Sequence, residues 1–276
     1  MHVTANGLSI AVERHGDPAA DAVLLLRGLG SQVIHWPPAL IAAFVESGRQ
    51  VVAFDNRDSG LSDDGPAGGY SLRDMAADAV GVLDALGLAQ AHGFGISMGG
   101  MILQAMALDH PERLCSATVV MSSSRAPGLP SAPPEILALL AERAPDGSRD
   151  AVIAHELRTG RAWYSPGWPF DPAERARLIG RAYDRAYRPD GTARQLAAIE
   201  AGAEVLADIE RIATPTLVIH GAQDTLLPPA HGRDIAARIP GAVLTEIDGM
   251  GHDLEEGLAR IVAARTLAFW DGLPAD

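Results

Sequence analysis

This chain of 276 residues contains no lysine, and all 22 of its basic residues are arginine. The absence excludes Schiff-base chemistry, pyridoxal phosphate held on a lysine, and a phosphate-binding lysine of the Walker type. Cysteine is almost as scarce, and the single Cys115 excludes an internal disulfide and a cysteine-rich metal site. No other cluster of metal-ligating residues is visible in the sequence, so we expect neither a metal nor a cofactor.

Positive charge and long apolar runs are also lacking. The 22 basic residues face 35 acidic ones, and the resulting formal net charge of −13 argues against nucleic acid or an anionic membrane as a partner. No stretch of about 18 apolar residues occurs, so no membrane span is expected. Residues 1–7 have neither the basic start nor the apolar stretch of a secretory signal. These features predict an acidic protein of the cytoplasm.

Short β-branched or leucine-rich runs alternate with longer amphipathic segments along most of the chain. Strands are predicted at 8–13, 22–27, 50–54, 91–96, 115–121, 216–220 and 243–247, and helices at 38–47, 71–86, 98–110, 231–238 and 255–270. This alternation predicts a mostly parallel, twisted sheet flanked by helices on both faces. The first two strand candidates have no helix between them, so an antiparallel hairpin is expected to open the fold.

The alternation stops between residues 122 and 214, where several prolines precede helical patterns near 135–144, 149–163, 172–188 and 192–209. We therefore predict a helical cap of residues 122–214, inserted into a core of residues 1–121 and 215–276. Four aromatic residues in a loop rich in proline and glycine are candidates for binding the substrate: Trp163, Tyr164, Trp168 and Phe170. Packing of the cap on the core is the other role open to the aromatic residues, and it is favoured for Tyr183 and Tyr187.

The segment Gly-Ile-Ser-Met-Gly at 95–99 lies between a predicted strand and a predicted helix. With 29 glycines in the chain, the pattern alone is weak evidence. A sharp strand-to-helix turn, however, holds its serine in a strained backbone conformation and lifts the hydroxyl above the sheet edge. The N–H groups that begin the new helix then point at the reaction site. Ser97 is therefore the predicted nucleophile.

A serine nucleophile needs a base, and the base needs an orienting acid. Of the nine histidines, His252 follows the last predicted strand, and Asp224 follows the strand at 216–220. The carboxyl ends of parallel strands are where such sheets place their sites, and the order serine, acid, histidine fits a hydrolase triad. Asp253 is the alternative acid, but a residue adjacent to the base on a turn usually points away from it.

The oxyanion of an acyl-transfer reaction needs two backbone N–H donors. Met98, directly after the predicted nucleophile, should supply one of them. The other should come from Leu29, in the turn Arg-Gly-Leu-Gly at 27–30 after the second predicted strand. A dinucleotide-binding fingerprint is the alternative function of this turn, and it is excluded because the third glycine is missing.

Taken together, these segments resemble the α/β-hydrolase family over nearly the whole chain. The fragments at 54–60, 215–220, 229–232 and 249–252 are most similar to the aclacinomycin methylesterase group of that family. The resemblance implies the α/β-hydrolase fold and a carboxylesterase of small molecules. Two positions depart from the pattern: Arg27 stands where many members carry histidine, and Asp58 stands where glycine is often found.

The expected function is hydrolysis of a carboxylic ester of a hydrophobic small molecule through an acyl-enzyme on Ser97. The serine argues against epoxide hydrolase and haloalkane dehalogenase chemistry, which need an aspartate nucleophile. Lactonase, C–C hydrolase and perhydrolase reactions use the same triad and stay open. A non-catalytic receptor for small molecules on the same scaffold is the alternative from a different class.

Overall fold

Eight strands form one sheet in the computed structural model, which describes residues 1–274. The strands are β1 (His2–Ala5), β2 (Leu8–His15), β3 (Ala22–Leu26), β4 (Gln50–Phe54), β5 (Ala91–Ile96), β6 (Leu114–Val120), β7 (Thr216–Gly221) and β8 (Val243–Ile247). Their order across the sheet is β1-β2-β4-β3-β5-β6-β7-β8. Neighbouring strands are parallel in the part of this order that runs from β4 to β8. Strand β3 is apolar and buried throughout, as a parallel strand covered on both faces must be. The predicted sheet is thereby confirmed.

The antiparallel hairpin that opens the fold lies earlier in the chain than predicted. It consists of β1 and β2, while β2 pairs with β4 and not with β3. The prediction missed β1 because this strand has only four residues, two of them exposed. Its turn did carry a signal: Asn6 and Gly7 have φ angles of 48° and 77°, which suit the two-residue turn that Asn-Gly favours in hairpins.

Helices cover both faces of the sheet. They are α1 (Pro38–Glu46), α2 (Leu72–Ala85), α3 (Met98–Asp109), α4 (Pro134–Ala141), α5 (Arg149–Gly160), α6 (Pro172–Arg185), α7 (Pro189–Glu200), α8 (Gly202–Val205), α9 (Ala230–Arg238) and α10 (Glu256–Asp271). One face packs against α2, α3 and α9, through Leu72, Met101 and Ile235. The other packs against α1 and α10, through Leu40 and Val262. Within residues 1–274, no helix is both long enough and apolar enough to cross a membrane.

The chain between β6 and β7 holds helices α4 to α8 and, within the described residues, no strand. Helices α4, α5 and α6 agree with three of the predicted helical patterns to within a few residues. The single helix predicted at 192–209 is wrong, because α7 already begins at Pro189 and ends at Glu200. Gly202 begins the separate helix α8 and is buried where a Cβ atom would lie 2.7 Å from Cδ1 of Leu72.

The turn from β5 to α3 brings three segments of backbone unusually close together. A Cβ atom on Gly95 would lie 2.3 Å from the carbonyl oxygen of Gly99, and one on Gly99 would lie 2.0 Å from the carbonyl oxygen of Leu26. Both distances are far inside van der Waals contact, so only glycine fits at either position. Between them, Ser97 adopts φ 53° and ψ −122°, a strained backbone conformation for a residue with a side chain. The turn therefore holds Ser97 at the carboxyl edge of the sheet.

Candidate active site

Ser97, His252 and Asp224 meet above the carboxyl edge of the sheet. Ser97 directly follows β5, Asp224 lies three residues after β7, and His252 lies in the loop after β8. The Ser97 Oγ atom lies 3.0 Å from Nε2 of His252, and Nδ1 of the same ring lies 2.7 Å from Oδ2 of Asp224. These are the distances that proton transfer from a serine to an oriented imidazole requires.

The carboxylate of Asp224 is buried and held by several donors. Its Oδ1 atom accepts hydrogen bonds from the backbone N–H groups of Leu226 at 2.9 Å and Leu227 at 2.8 Å. Its Oδ2 atom faces His252, and Nε2 of the buried His220 lies 3.5 Å from the same oxygen. Burial lowers the pKa of His220, which keeps that ring neutral. Its Nε2–H donates to the carbonyl of Leu227 at 2.8 Å, so the ring braces the acid loop.

Asp253 faces away from the imidazole of His252. Its Oδ1 atom accepts hydrogen bonds from both the N–H, at 2.8 Å, and the hydroxyl of Ser165. Ser165 Oγ in turn accepts from the N–H of Gly251 at 2.9 Å, and the His252 N–H donates to the Trp163 carbonyl at 2.7 Å. The loop at 163–168 thus fixes the backbone that carries His252. No sequence signal pointed to Ser165, because its partners are more than 80 residues away.

The two predicted oxyanion donors lie in the turn after β3 and at the start of helix α3. Met98 begins helix α3, and the first N–H groups of a helix have no partner within it. Leu29 lies in the turn after β3 and lines the cavity above the serine. A Cβ atom on the preceding Gly28 would lie 3.2 Å from Cβ of Ser97, so this turn approaches the serine as closely as glycine permits.

Helix α7 holds the turn after β3 through Gln195, which is fully buried. The Gln195 Oε1 atom accepts a hydrogen bond from the Gly30 N–H at 2.8 Å. Its amide nitrogen donates to the carbonyl of Arg57 at 2.7 Å and to Oγ of Ser59 at 2.9 Å. Because its partners stand about 140 residues earlier in the chain, sequence reasoning did not identify Gln195.

Replacing Gln195 with leucine is expected to lower kcat about tenfold and to cost about 1–3 kcal/mol of folding free energy. The buried Gly30 N–H would lose its acceptor, and the turn that carries Leu29 would lose its support. Steady-state kinetics and urea unfolding measure the two effects. Glutamate at 195 keeps the acceptor for Gly30, so it should retain more kcat than leucine does. The exposed Gln90→Leu variant serves as a control, and an unchanged kcat in Gln195→Leu would contradict this role.

Two ion pairs also connect the segment Phe-Asp-Asn-Arg-Asp-Ser-Gly at 54–60 to the helices between β6 and β7. Asp55 pairs with Arg185 at 2.7 Å, and its two oxygens accept the N–H groups of Val33 and Leu61. Asp58 pairs with Nε of Arg194 on α7, at 3.1 Å. Asp58, one of the two departures from the family pattern, therefore joins the core to α7.

A cavity of about 1000 Å³ lies above Ser97 and His252. Of the four aromatic residues predicted to bind the substrate, Trp163, Tyr164 and Phe170 line it. Trp168 does not: its indole packs within 3.5 Å of the Cβ positions of Gly249 and Gly257. Because the loop turns between these residues, the side chain of Trp168 faces the core. Charged side chains share the remaining wall with these apolar ones: Leu29, Ile34, Met101, Met121, Leu129, Leu137, Leu140, Leu178, Leu196, Ile199, Leu226 and Leu227.

The sequence profile of the family described as alpha/beta hydrolase fold matches residues 21–254. Rhodomycin D methylesterase DauP of Streptomyces sp. (strain C5) is 30% identical over 294 residues, which cover 96% of this chain and 97% of that protein. The putative carbamate hydrolase RutD of Variovorax paradoxus (strain S110) is 33% identical over 245 residues, with 87% and 88% covered. The structure resembles that of a meta-cleavage product hydrolase from Pseudomonas fluorescens IP01, with a TM-score of 0.81, 21% identity, and 98% and 97% of the two chains covered.

Proposed function

Because the chain belongs to the alpha/beta-hydrolase family and is a carboxylic ester hydrolase, we propose that it cleaves esters through an acyl-enzyme on Ser97. His252 is the base in this proposal, and Asp224 is the acid that orients it. The observation that carries it is the pair of hydrogen bonds, 3.0 Å and 2.7 Å long, that links the three side chains. The strained backbone of Ser97 supports the same role, since such strain is concentrated at functional sites.

In the first half of the reaction, Nε2 of His252 takes the Ser97 proton while Oγ attacks the ester carbonyl carbon. The N–H groups of Leu29 and Met98 stabilise the negative charge on the carbonyl oxygen. The tetrahedral intermediate then collapses, and the alcohol leaves with the proton from His252. In the second half, His252 activates a water molecule that attacks the acyl-enzyme, which releases the acid and restores Ser97. Asp224 keeps the Nδ1–H tautomer and stabilises the imidazolium.

The substrate in this proposal is a small-molecule ester with a hydrophobic body. The aliphatic and aromatic wall of the cavity supports it, and so does similarity to a protein named for the methyl ester of rhodomycin D. Residues 122–214 act as a cap over the core of residues 1–121 and 215–276. The ion pairs of Arg185 and Arg194 support this division, because they anchor the cap helices on the core beside the cavity.

Mixing the enzyme with para-nitrophenyl acetate is expected to give a burst of nitrophenol, because acylation releases the alcohol before water cleaves the acyl-enzyme. Mass spectrometry of the quenched enzyme should find one added acetyl group on the peptide that contains Ser97. A panel of aryl esters, lactones and a ring-cleavage dienone compares the reactions that share this triad, and the aryl esters should be turned over fastest. Tight binding without turnover would instead indicate a receptor, and acetylation elsewhere would contradict the role of Ser97.

A further inference from the structure

Arg27 is a half-buried cation in the wall of the cavity, close to the nucleophile. It directly precedes Gly28, the glycine whose position is in contact with Ser97. The guanidinium lies over the ring of Trp36, with Cζ 4.6 Å from the ring centre, and both residues line the cavity. Arg27 is therefore placed on the substrate side of the oxyanion turn.

The charge of Arg27 has no counter-ion within the described residues. Its Nε and Nη1 atoms are buried without a hydrogen bond, and no carboxylate forms an ion pair with it within residues 1–274. Arg57, which is buried, shows how such a charge is usually neutralised, since its Nε lies 2.6 Å from a carboxylate oxygen of Asp78. A buried cation without a counter-ion is costly, so an unpaired one calls for a missing partner. Nη2 is the guanidinium nitrogen that stays accessible from the cavity.

Arg175 on helix α6 adds a second positive charge to the same wall. It lines the cavity and, in the part of the chain that the structure describes, takes part in no ion pair. Burial, together with the charge of Arg175, lowers the pKa of Arg27 to about 9, so the two guanidinium groups repel each other. Burial and these two charges lower the pKa of the neighbouring His35 to about 3, which leaves that ring neutral.

The carboxylates that share the cavity wall do not neutralise these arginines. Four of them accept hydrogen bonds elsewhere: Asp171 from Ala173 and Glu174 at the start of α6, Asp253 from Ser165, Glu255 from Leu258 and Glu256 from Ala39. Glu174 and Glu200 are exposed to solvent. Glu156 does not line the cavity but lies near Arg175, and burial raises its pKa in spite of that positive charge.

We propose that Arg27 and Arg175 form an anion subsite, and that the preferred substrate is an ester whose molecule also carries a free carboxylate. The inference rests on the proposed esterase function and names its substrate class. A carboxylate beside the two guanidinium groups would relieve their repulsion and accept charge-assisted hydrogen bonds from Nη2 of Arg27. The aliphatic wall would hold the rest of the molecule.

The test compares para-nitrophenyl half esters of succinic, glutaric and adipic acid with the para-nitrophenyl butyrate, valerate and caproate that match them in length. In each pair a terminal carboxylate replaces a methyl group. At the best chain length, kcat/KM of the wild type should favour the half ester about 10- to 100-fold, as expected for a charge-assisted contact in a partly buried site. A preference for the neutral ester at all three lengths would overturn the proposal.

The Arg27→Met variant removes the charge and keeps an unbranched apolar side chain over Trp36. It should lose the preference for the half ester, because its kcat/KM should fall about 10- to 100-fold more on the half ester than on the matched neutral ester. Arg175→Met should lose only part of the preference, because the charge of Arg27 remains. The exposed Arg260→Met, away from the cavity, is the matched control. An equal loss on both esters in Arg27→Met would show a structural role and contradict the subsite.

A binding measurement separates this inference from the esterase proposal. Calorimetry with the Ser97→Ala protein should show tighter binding of the best half ester than of its neutral match, and the double variant Ser97→Ala, Arg27→Met should not. If the half ester binds preferentially but no ester is cleaved by the wild type, the subsite stands and the esterase proposal fails. If esters are cleaved through Ser97 without any preference for the half ester, the esterase proposal stands and the subsite fails. Should Arg27→Met fail to fold, Arg27→Lys is used in its place, and it should keep the preference because lysine keeps the charge. The ratio of kcat/KM for the half ester to that for the neutral ester in the wild type then completes the test.

Discussion

Replacing Ser97 with alanine is expected to lower kcat for aryl ester hydrolysis by about 10⁴-fold or more, because the acyl-enzyme can no longer form. The residual rate would come from the oxyanion donors and from binding alone, with water as the nucleophile. Because the hydroxyl forms no hydrogen bond within residues 1–274 other than that with His252, its loss should leave the fold intact. Steady-state kinetics with purified protein measure the effect, and thermal unfolding verifies the fold.

The exposed Ser47→Ala is the matched control for this experiment, because it removes the same hydroxyl far from the site. Its Oγ atom donates to the carbonyl of Phe44 near the end of α1 and accepts a hydrogen bond from Nη1 of Arg49 at 3.0 Å. Trace wild-type enzyme must be titrated away with an active-site phosphonate, since a contamination of about one part in 10⁴ would mimic the expected residual rate. If Ser97→Ala kept more than about a hundredth of the activity after that titration, Ser97 would not be the nucleophile.

The closeness of the three residues of the proposed triad could be predicted, because each lies in the turn or loop that follows a strand visible in the sequence pattern. Ser97, Asp224 and His252 stand at the carboxyl ends of β5, β7 and β8, and parallel strands bring those ends to one edge. A parallel sheet therefore brings three positions that are distant in sequence close together, and this can be predicted without knowledge of the side-chain packing. The hydrogen-bond distances between the three side chains, however, are known only from the structure.

The residues that support the site could not be predicted, because their partners are distant in sequence and belong to different elements. Gln195 and Ser165 are single polar residues in the segment between β6 and β7, and nothing near them in the sequence marks them as buried. For Trp168 the prediction from the sequence is wrong. The composition of its loop indicated a place in the pocket, but the geometry of the loop turns its side chain toward the core. Arg27 could be recognised as a departure from the family pattern, but its lack of a counter-ion could not.

Changing Asp224 to asparagine is expected to lower kcat by about 10⁴-fold, nearly as much as the loss of the nucleophile. The direction of the effect follows from the donors around the carboxylate. Oδ1 accepts two backbone N–H groups, so the amide oxygen of asparagine must take that side. The amide NH₂ group is then left facing Nδ1 of His252, where it donates a hydrogen bond instead of accepting one. The imidazole is locked with its proton on Nε2 and cannot take the proton of Ser97.

The neighbouring acid provides the control for Asp224→Asn. Asp253→Asn removes a carboxylate only one residue from His252, but this carboxylate holds Ser165 rather than the imidazole, so we expect a loss of less than about tenfold. Nitrogen-15 NMR of the imidazole should show the proton on Nδ1 in the wild type and in Asp253→Asn, and on Nε2 in Asp224→Asn. A larger loss of kcat in Asp253→Asn than in Asp224→Asn would make Asp253 the orienting acid, against the 2.7 Å contact that supports Asp224 in the proposed role.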